Sequence, residues 1–356
     1  MRGAVVVRGA GVVCALGVGA AAVGRAIAGG HEFDGFRGGA SRDGGPPMGA
    51  SYPAPFESAC DLPRGLGRRL GRQLGMSLAA VLEAVGPERA WREDPADTGI
   101  VAATAHGPID ETVGFVGGAL LDGPRYASPG LFAAAIHGSM AGVAARELGI
   151  RGPALVTANG DVSFETALYA AVAGLRSGRM RRAIVVGADA FHPFYAMSLC
   201  EFGLVSDSDL PVDPQMRRTT RGQQIGEGAG ALVLEWDAGA SRDDAAGVRV
   251  EDVQLGAAAP PSGLPPARVL AMATGESASA RRHAIALERC GLAGARIEYP
   301  AARFGAFGSL SAVAVAVEAA RRLHCEHPAD AGPTVFVSAP HRSNAASLLL
   351  AGAGRR

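Results

Sequence analysis

Residues 167–190 read ALYAAVAGLRSGRMRRAIVVGADA and contain the two kinds of element that decide the fold. The alanine- and leucine-rich first part belongs to a helical pattern that predicts a helix over Ser163–Ser177. After a short Gly/Arg-containing break, Ala183–Val186 is a run of apolar residues typical of a buried strand. A helix that leads directly into a buried strand is characteristic of α/β folds.

The same alternation extends in both directions along the chain. Further glycine-bounded apolar runs predict buried strands at Ala4–Val7, Gly99–Ala102, Ala154–Thr157, Ala229–Leu234 and Thr334–Val337. Two alanine-rich stretches, Leu131–Glu147 and Ser309–Arg322, predict helices. We therefore expect an α/β fold with a largely covered sheet. Segments 36–66, 237–246 and 260–266 are polar or rich in glycine and proline and predict loops, and we place a division of the chain near residue 240.

Composition argues against several classes of function. The chain has 34 basic and 34 acidic residues, and every basic residue is arginine because the sequence contains no lysine. A balanced charge favours neither a nucleic-acid partner nor a membrane surface. Five scattered cysteines without a CxxC pair indicate a reducing cytoplasm rather than a disulfide framework or a zinc site. Residues 10–24 are apolar, but we interpret them as part of the fold and not as a signal peptide.

Six segments, in order, resemble the β-ketoacyl synthase family, the condensing enzymes of the thiolase fold. The more specific ones are GRMRRAIVVGAD, at 178–189 within the helix-to-strand segment, and GEGAGALVLE, at 226–235. Four others support them: VVVRGAGVVCALGVG (5–19), the segment 123–155, FGLVSDSDLPVDP (202–214) and SAPHRSNAASLLL (338–350).

This resemblance implies a thiolase-like, five-layered αβαβα fold built from two similar halves. The halves would be residues 1–240 and a shortened second half, residues 241–356. The family also dimerises across the strand that leads to its nucleophile, so the resemblance implies an obligate dimer.

The family's reaction needs a cysteine thiolate that carries the acyl chain and two histidines that stabilise the developing negative charge, with a lysine that organises one histidine. The family's spacing places the nucleophile at Asp161, in the sequence TANGD (157–161). A carboxylate cannot carry the acyl chain as a thioester. The local alternatives for Asp161 are a helix N-cap or a new catalytic acid.

The two histidine positions are also occupied by other residues. The first falls at Met272 or a neighbour within MATGESASA (272–280). The second falls at Gly305 or Ala306 within RFGAFGSLSA (303–312). With the lysine absent as well, the resemblance implies a family member without its own catalytic residues.

We therefore expect a non-catalytic subunit that resembles a type II polyketide chain-length factor. Its partner would be an active ketosynthase, through which an acyl carrier protein would be reached, and we expect no cofactor and no metal. Known chain-length factors often carry glutamine at the nucleophile position, so aspartate departs from that pattern. Two alternatives stay open: a decarboxylase or other acyl-processing enzyme on the same fold, and a structural or regulatory pseudoenzyme.

The resemblance also implies two groups of site residues. The tunnel end, or chain-length gate, would be formed by Ile109, Thr112, Phe115, Val116 and Phe132. The dimer interface would include Leu131, Phe132, Ile136, His137 and Met140. Thr112 and Val116 are four residues apart, so they would face the same way on a helix.

Overall fold

The chain folds around one mixed sheet of eleven strands. The computed structural model describes residues 3–28, 51–52, 62, 70–87, 94–205, 222–239, 247–256, 268–274, 277–292, 294–323, 333–341 and 344–352. The strands are β1 (Ala4–Cys14), β2 (Gly17–Val18), β3 (Ser51–Tyr52), β4 (Thr98–Ala103), β5 (Ala154–Thr157), β6 (Arg182–Asp189), β7 (Ile225–Gly226), β8 (Gly228–Asp237), β9 (Val248–Leu255), β10 (Arg268–Ala271), β11 (Ile297–Glu298), β12 (Thr334–His341) and β13 (Asn344–Ala351).

Ten α-helices lie in the described part of the chain. They are α1 (Ala20–Ala28), α2 (Arg72–Val85), α3 (Ile109–Leu121), α4 (Pro129–Ala134), α5 (Ser139–Leu148), α6 (Ser163–Arg176), α7 (Pro193–Glu201), α8 (Ser277–Arg289), α9 (Ala301–Phe304) and α10 (Leu310–Leu323). A 3₁₀ turn, Pro124–Tyr126, connects α3 to α4.

The two halves of the sheet have the same topology. The first half has the order β5-β4-β6-β8-β1, and the second has the order β11-β10-β12-β13-β9. In each half the first two strand pairings of that order are parallel and the last two are antiparallel. The halves join where Val5–Val7 of β1 pairs with Val248–Val250 of β9. This repeated strand order confirms the prediction of two similar halves.

Helices complete five layers. The central layer is α6 and α10, because α6 contacts β4, β5 and β6 as well as β9 and β13, and α10 contacts β1 and β8 as well as β9 and β12. Helices α2 and α5 cover the outer face of the first half, and α8 covers that of the second. The thiolase-like αβαβα arrangement predicted from the resemblance is therefore confirmed.

Glycines of the GEGAG segment allow strand β8 to approach the central helix closely. A Cβ atom on Gly230 would lie 2.1 Å from the carbonyl oxygen of Ala312 in α10. One on Gly228 would lie 2.7 Å from the carbonyl oxygen of Val13 in the neighbouring strand β1. No side chain fits at such separations, so these glycines serve packing. Every residue of α10 from Leu310 to Ala320 is buried, and all of them except Ser311 and Glu318 are apolar.

Several predicted boundaries were wrong. The helix predicted over Leu131–Glu147 is two helices, because the chain breaks at residues 135–138 and Ser139 Oγ donates to the carbonyl of Ala134 at 3.0 Å. Strand β1 continues to Cys14, so residues 10–24 form a strand, a hairpin and part of α1. Strand β9 and helices α2, α7 and α8 were not predicted from the residues.

Most of the predicted loops at 36–66, 237–246 and 260–266 lie outside the described residues, so the division near residue 240 stays a prediction. Among the described helices, none has the length and hydropathy that a membrane span requires.

Candidate functional site

Asp161 lies in the tight turn between the edge strand β5 and the central helix α6. Gly160 adopts a left-handed φ of 56°, and Ser163 fixes the turn with its hydroxyl. That hydroxyl accepts from the backbone N–H of Asn159 at 2.7 Å and donates to the carbonyl of Gly160 at 2.6 Å. The N-cap residue of α6 is Val162, with no side-chain cap, so the N-cap interpretation of Asp161 was wrong.

The side chain of Asp161 instead lines a cavity of about 140 Å³ between the two halves of the chain. The other lining residues are Tyr195, Gln223, Thr274, Ser279, Arg282, Ala306, Phe307 and Gly308. The structure thus brings together Asp161 and parts of the 272–280 and 303–312 segments, the three places where the sequence comparison located the missing catalytic groups. Ala306 lies in the cavity, whereas Met272 is buried in the core.

The described lining of this cavity contains no cysteine and no histidine. It is formed mainly by polar side chains, including one carboxylate and one guanidinium. A site for a long acyl chain would need a mainly apolar wall, which the described lining does not offer.

The phenol of Tyr195 stays protonated in this cavity. Burial raises the pKa of Tyr195, and the negative charges of Asp161 and Asp189 raise it further. Its ring also packs against that of His106 at a tilt of 41°, with centroids 4.4 Å apart. Tyr195 is therefore a fixed hydrogen-bond donor rather than an acid or base near neutral pH.

His283 follows the cavity-lining residue Arg282, but both of its ring nitrogens are hydrogen-bonded to the backbone. Its Nε2 accepts from the N–H of Ala339 at 3.0 Å, so Nδ1 carries the hydrogen and donates to the carbonyl of Ser279 at 2.9 Å. Burial lowers the pKa of His283 to about 4, which keeps the imidazole neutral. Both ring nitrogens have backbone partners, so this histidine does not replace either missing one.

The buried carboxylate of Asp189 holds the loops on one side of the cavity. It accepts from the hydroxyls of Thr104 and Ser309, both at 2.6 Å, and from the backbone N–H groups of Ala105 and His106. Gly308 is required there because a Cβ atom would lie 1.9 Å from that of Ala105. These bonds fix the start of α10 against the end of β4.

The strand that leads to Asp161 lies at the edge of the sheet. Strand β5 pairs only with β4 among the described strands, and Leu155 on it is 47% exposed. Other large apolar side chains are exposed between residues 116 and 136, and we call these together with Leu155 the edge surface. They are Val116, Leu120, Leu121, Tyr126, Phe132 and Ile136.

The predicted interface residues are only partly exposed at this surface. Phe132 and Ile136 are 55% and 52% exposed, and His137 is exposed with its ring over Gly107. Leu131 is half-buried. Met140, on the inner side of α5, is 3% exposed and packs in the core, and its contact with a partner stays a prediction.

The predicted gate residues lie on α3 and α4, where Val116 and Phe132 also belong to the edge surface, and none of them lines the Asp161 cavity. Thr112 and Val116 are both exposed, and Ile109 and Phe115 are half-buried. The rings of Phe115 and Phe132 are in contact, with centroids 5.3 Å apart. These positions stay a prediction, since a tunnel that two subunits share is not formed by one chain.

Sequence reasoning missed three polar residues of the cavity: Tyr195, Gln223 and Arg282. Each comes from a segment whose distance from Asp161 along the chain gives no local signal. Among the described residues, no group of three or more histidine, cysteine, aspartate or glutamate side chains is arranged to hold a metal ion.

Comparison with known proteins agrees with this architecture. Residues 64–240 match the sequence model of the β-ketoacyl synthase N-terminal domain. This match assigns the chain to the β-ketoacyl synthase family, with the thiolase-like fold of that family. No curated protein sequence matches the chain significantly.

Solved structures show the same fold across almost the whole chain. The ishigamide ketosynthase/chain length factor superposes with a TM-score of 0.72 at 19% identity, covering 99% of this chain and 100% of that one. The ketosynthase ApeO in complex with its chain length factor ApeC, from Xenorhabdus doucetiae, gives 0.78 at 17%, covering 99% and 98%. A type II polyketide synthase complex, AntDE with the acyl-carrier protein AntF, gives 0.72 at 13%, covering 99% and 100%.

Proposed function

We propose that this chain is a non-catalytic, chain-length-factor-like subunit that pairs with an active ketosynthase in type II polyketide assembly. The observation that carries the proposal is the Asp161 cavity. The position of the family's nucleophile holds a carboxylate, and the described lining offers no thiol and no imidazole.

Chemistry supports this reading of the cavity. Condensation requires an acyl thioester on the enzyme and neutral donors that stabilise an enolate. Asp161 cannot form the thioester. The negative charge of its carboxylate would also oppose the negative charge of the enolate. The nearby His283 is fully engaged by Ser279 and Ala339.

The edge surface supports pairing with another subunit. An open strand edge and several large exposed apolar side chains are features that soluble proteins usually cover. Obligate partners bury more than about 2,000 Å² of surface. The acyl carrier protein would then be engaged through the ketosynthase, as two of the superposed structures are complexes of a ketosynthase with a chain length factor or an acyl-carrier protein.

Co-expression tests the pairing. We expect the chain, produced together with a candidate ketosynthase partner, to elute as a stable heterodimer in size-exclusion chromatography. Produced alone, it should aggregate or associate with itself through the edge surface. A soluble monomer that does not bind the ketosynthase would contradict the proposal and favour an acyl-processing enzyme that works alone.

We also propose that α3 and α4 set the tunnel end of the heterodimer. Replacing Thr112 with Trp, or Val116 with Phe, should shorten the polyketide product by one or more extension units, because a packed interior accepts little extra volume. Product lengths from the reconstituted heterodimer would be measured by mass spectrometry. Ile285→Phe, on the outer helix α8, serves as the size-matched control. Unchanged lengths in both variants, with the heterodimer intact, would place the tunnel end elsewhere.

A further inference from the structure

Glu165 is a buried carboxyl group that the proposed function does not use. It lies in the first turn of α6 and is 2% exposed. Ser311 Oγ donates to its Oε2 at 3.1 Å, and Ser338 Oγ makes a short hydrogen bond to its Oε1. Ser311 belongs to α10 and Ser338 to β12, so both hydroxyls come from the second half of the chain.

The surroundings of Glu165 disfavour its charged form. Its side-chain hydrogen-bond partners among the described residues are these two hydroxyls, which are neutral. Burial raises the pKa of Glu165 to about 7, and this outweighs the lowering effect of the Ser338 and Ser311 hydrogen bonds. The negative charge of Asp161, four residues earlier in the turn before α6, raises the pKa further.

Other ionisable groups on the surrounding elements do not reverse the rise in the pKa of Glu165. Asp189, at the end of β6, is negative and is bonded to Thr104 and Ser309. Arg249 of β9 is paired with Glu251 at 2.8 Å. His283 of α8 bonds to the residue that follows Ser338, and its pKa of about 4 keeps it neutral. In α10, Glu318 is bound by Arg321 and Arg322.

We propose that Glu165, Ser311 and Ser338 form a proton-dependent tie between the two halves of the fold: ionisation of the buried carboxyl group destabilises the fold, and the two hydroxyls limit that cost by donating to the carboxylate. The tie lies under the Asp161 turn and fixes the helix that follows the edge strand. In the unfolded chain the glutamate has its ordinary pKa of 4.5, below the value of about 7 in the fold. The stability that this group contributes is therefore complete below pH 4.5 and is lost as the pH rises to about 7.

Urea unfolding of the wild type and of Glu165→Gln, at pH about 5 and about 8, tests the tie. The amide of glutamine has the shape of the protonated carboxyl group and cannot ionise. Between the two pH values, the folding equilibrium constant of the wild type should fall, relative to that of Glu165→Gln, by on the order of 100-fold. Comparison with the variant removes the opposite contribution of His283, which both proteins share. Parallel pH profiles would overturn the proposal.

Ser338→Ala provides an independent readout if Glu165→Gln does not fold. Without this hydroxyl the ionised carboxylate loses a donor, so the variant should lose more stability at pH about 8 than at pH about 5. Ser77→Ala is the matched control, because Ser77 is buried in α2 and bonds to its own helix. An equal loss at both pH values in Ser338→Ala would contradict a proton-dependent tie.

Discussion

Replacing Leu155 with glutamate is expected to weaken binding to the ketosynthase partner by about 100-fold or more, which corresponds to about 3 kcal/mol. Leu155 lies on the open edge strand and is half exposed in the isolated chain. A partner that covers this strand would bury the new carboxylate without a cation to pair with it. The dissociation constant would be measured by biolayer interferometry or by titration of labelled partner.

The control for this prediction is Ile285→Glu. Ile285 is 43% exposed on α8, which covers the second half of the sheet, so the change adds the same charge far from the edge strand. It should leave the dissociation constant unchanged. Ile136→Glu, on the edge surface, should behave as Leu155→Glu does. If the α8 variant weakens pairing and both edge variants do not, the interface lies on the opposite half.

Replacing Glu318 with glutamine is expected to lower the free energy of unfolding by about 3–5 kcal/mol. The buried carboxylate accepts from Arg268, Arg321 and Arg322 at 2.5, 2.9 and 2.7 Å, and also from Thr334 at 2.8 Å. Removing its negative charge leaves the positive charges of the three guanidinium groups close together without a carboxylate to balance them. Urea unfolding at neutral pH measures the loss.

Acid titration adds a second signature for the same network. Burial alone raises the pKa of Glu318, but the bonds and charges of the three arginines outweigh it and lower the pKa to about 2. Stability from this group is therefore complete above pH 4.5 and is lost as the pH falls to about 2. Glu318→Gln should remove that part of the acid sensitivity. Glu298→Gln, more exposed and paired with Arg268, is the control and should cost less than about 1 kcal/mol. Equal losses in the two variants would contradict the central role of Glu318.

Strong local patterns in the sequence predicted the central elements of the fold. The buried strands β4, β5, β6 and β8 and the central helices α6 and α10 have continuous apolar runs or alanine-rich helical periods, which tertiary contacts reinforce. Helix α8 was missed because its residues, SASARRHAIALER, are mostly polar and only one face packs on the sheet. Strand β9 was missed because charged residues alternate with valines, a weaker signal.

The candidate site was predictable only where the family resemblance supplied spacing. Asp161 and the segments around Thr274 and Ala306 were located in that way, and the structure brings them to one cavity. Arg282 and Tyr195 come from helices whose orientation depends on the assembled sheet, which no local pattern records. Met140 shows a limit of sequence patterns, since an apolar residue on a helix packs inward as readily as outward, and in this chain it packs in the core.

Intact-mass spectrometry of the heterodimer tests the central claim most directly. The complex would be incubated with acyl-loaded and malonyl-loaded carrier protein, and each subunit would be weighed and then digested. We predict an acyl adduct on the ketosynthase and none on this chain, with the Asp161→Asn heterodimer condensing at the wild-type rate. A stable acyl adduct on any residue from 157 to 165 of this chain, or condensation by this chain alone, would contradict the account.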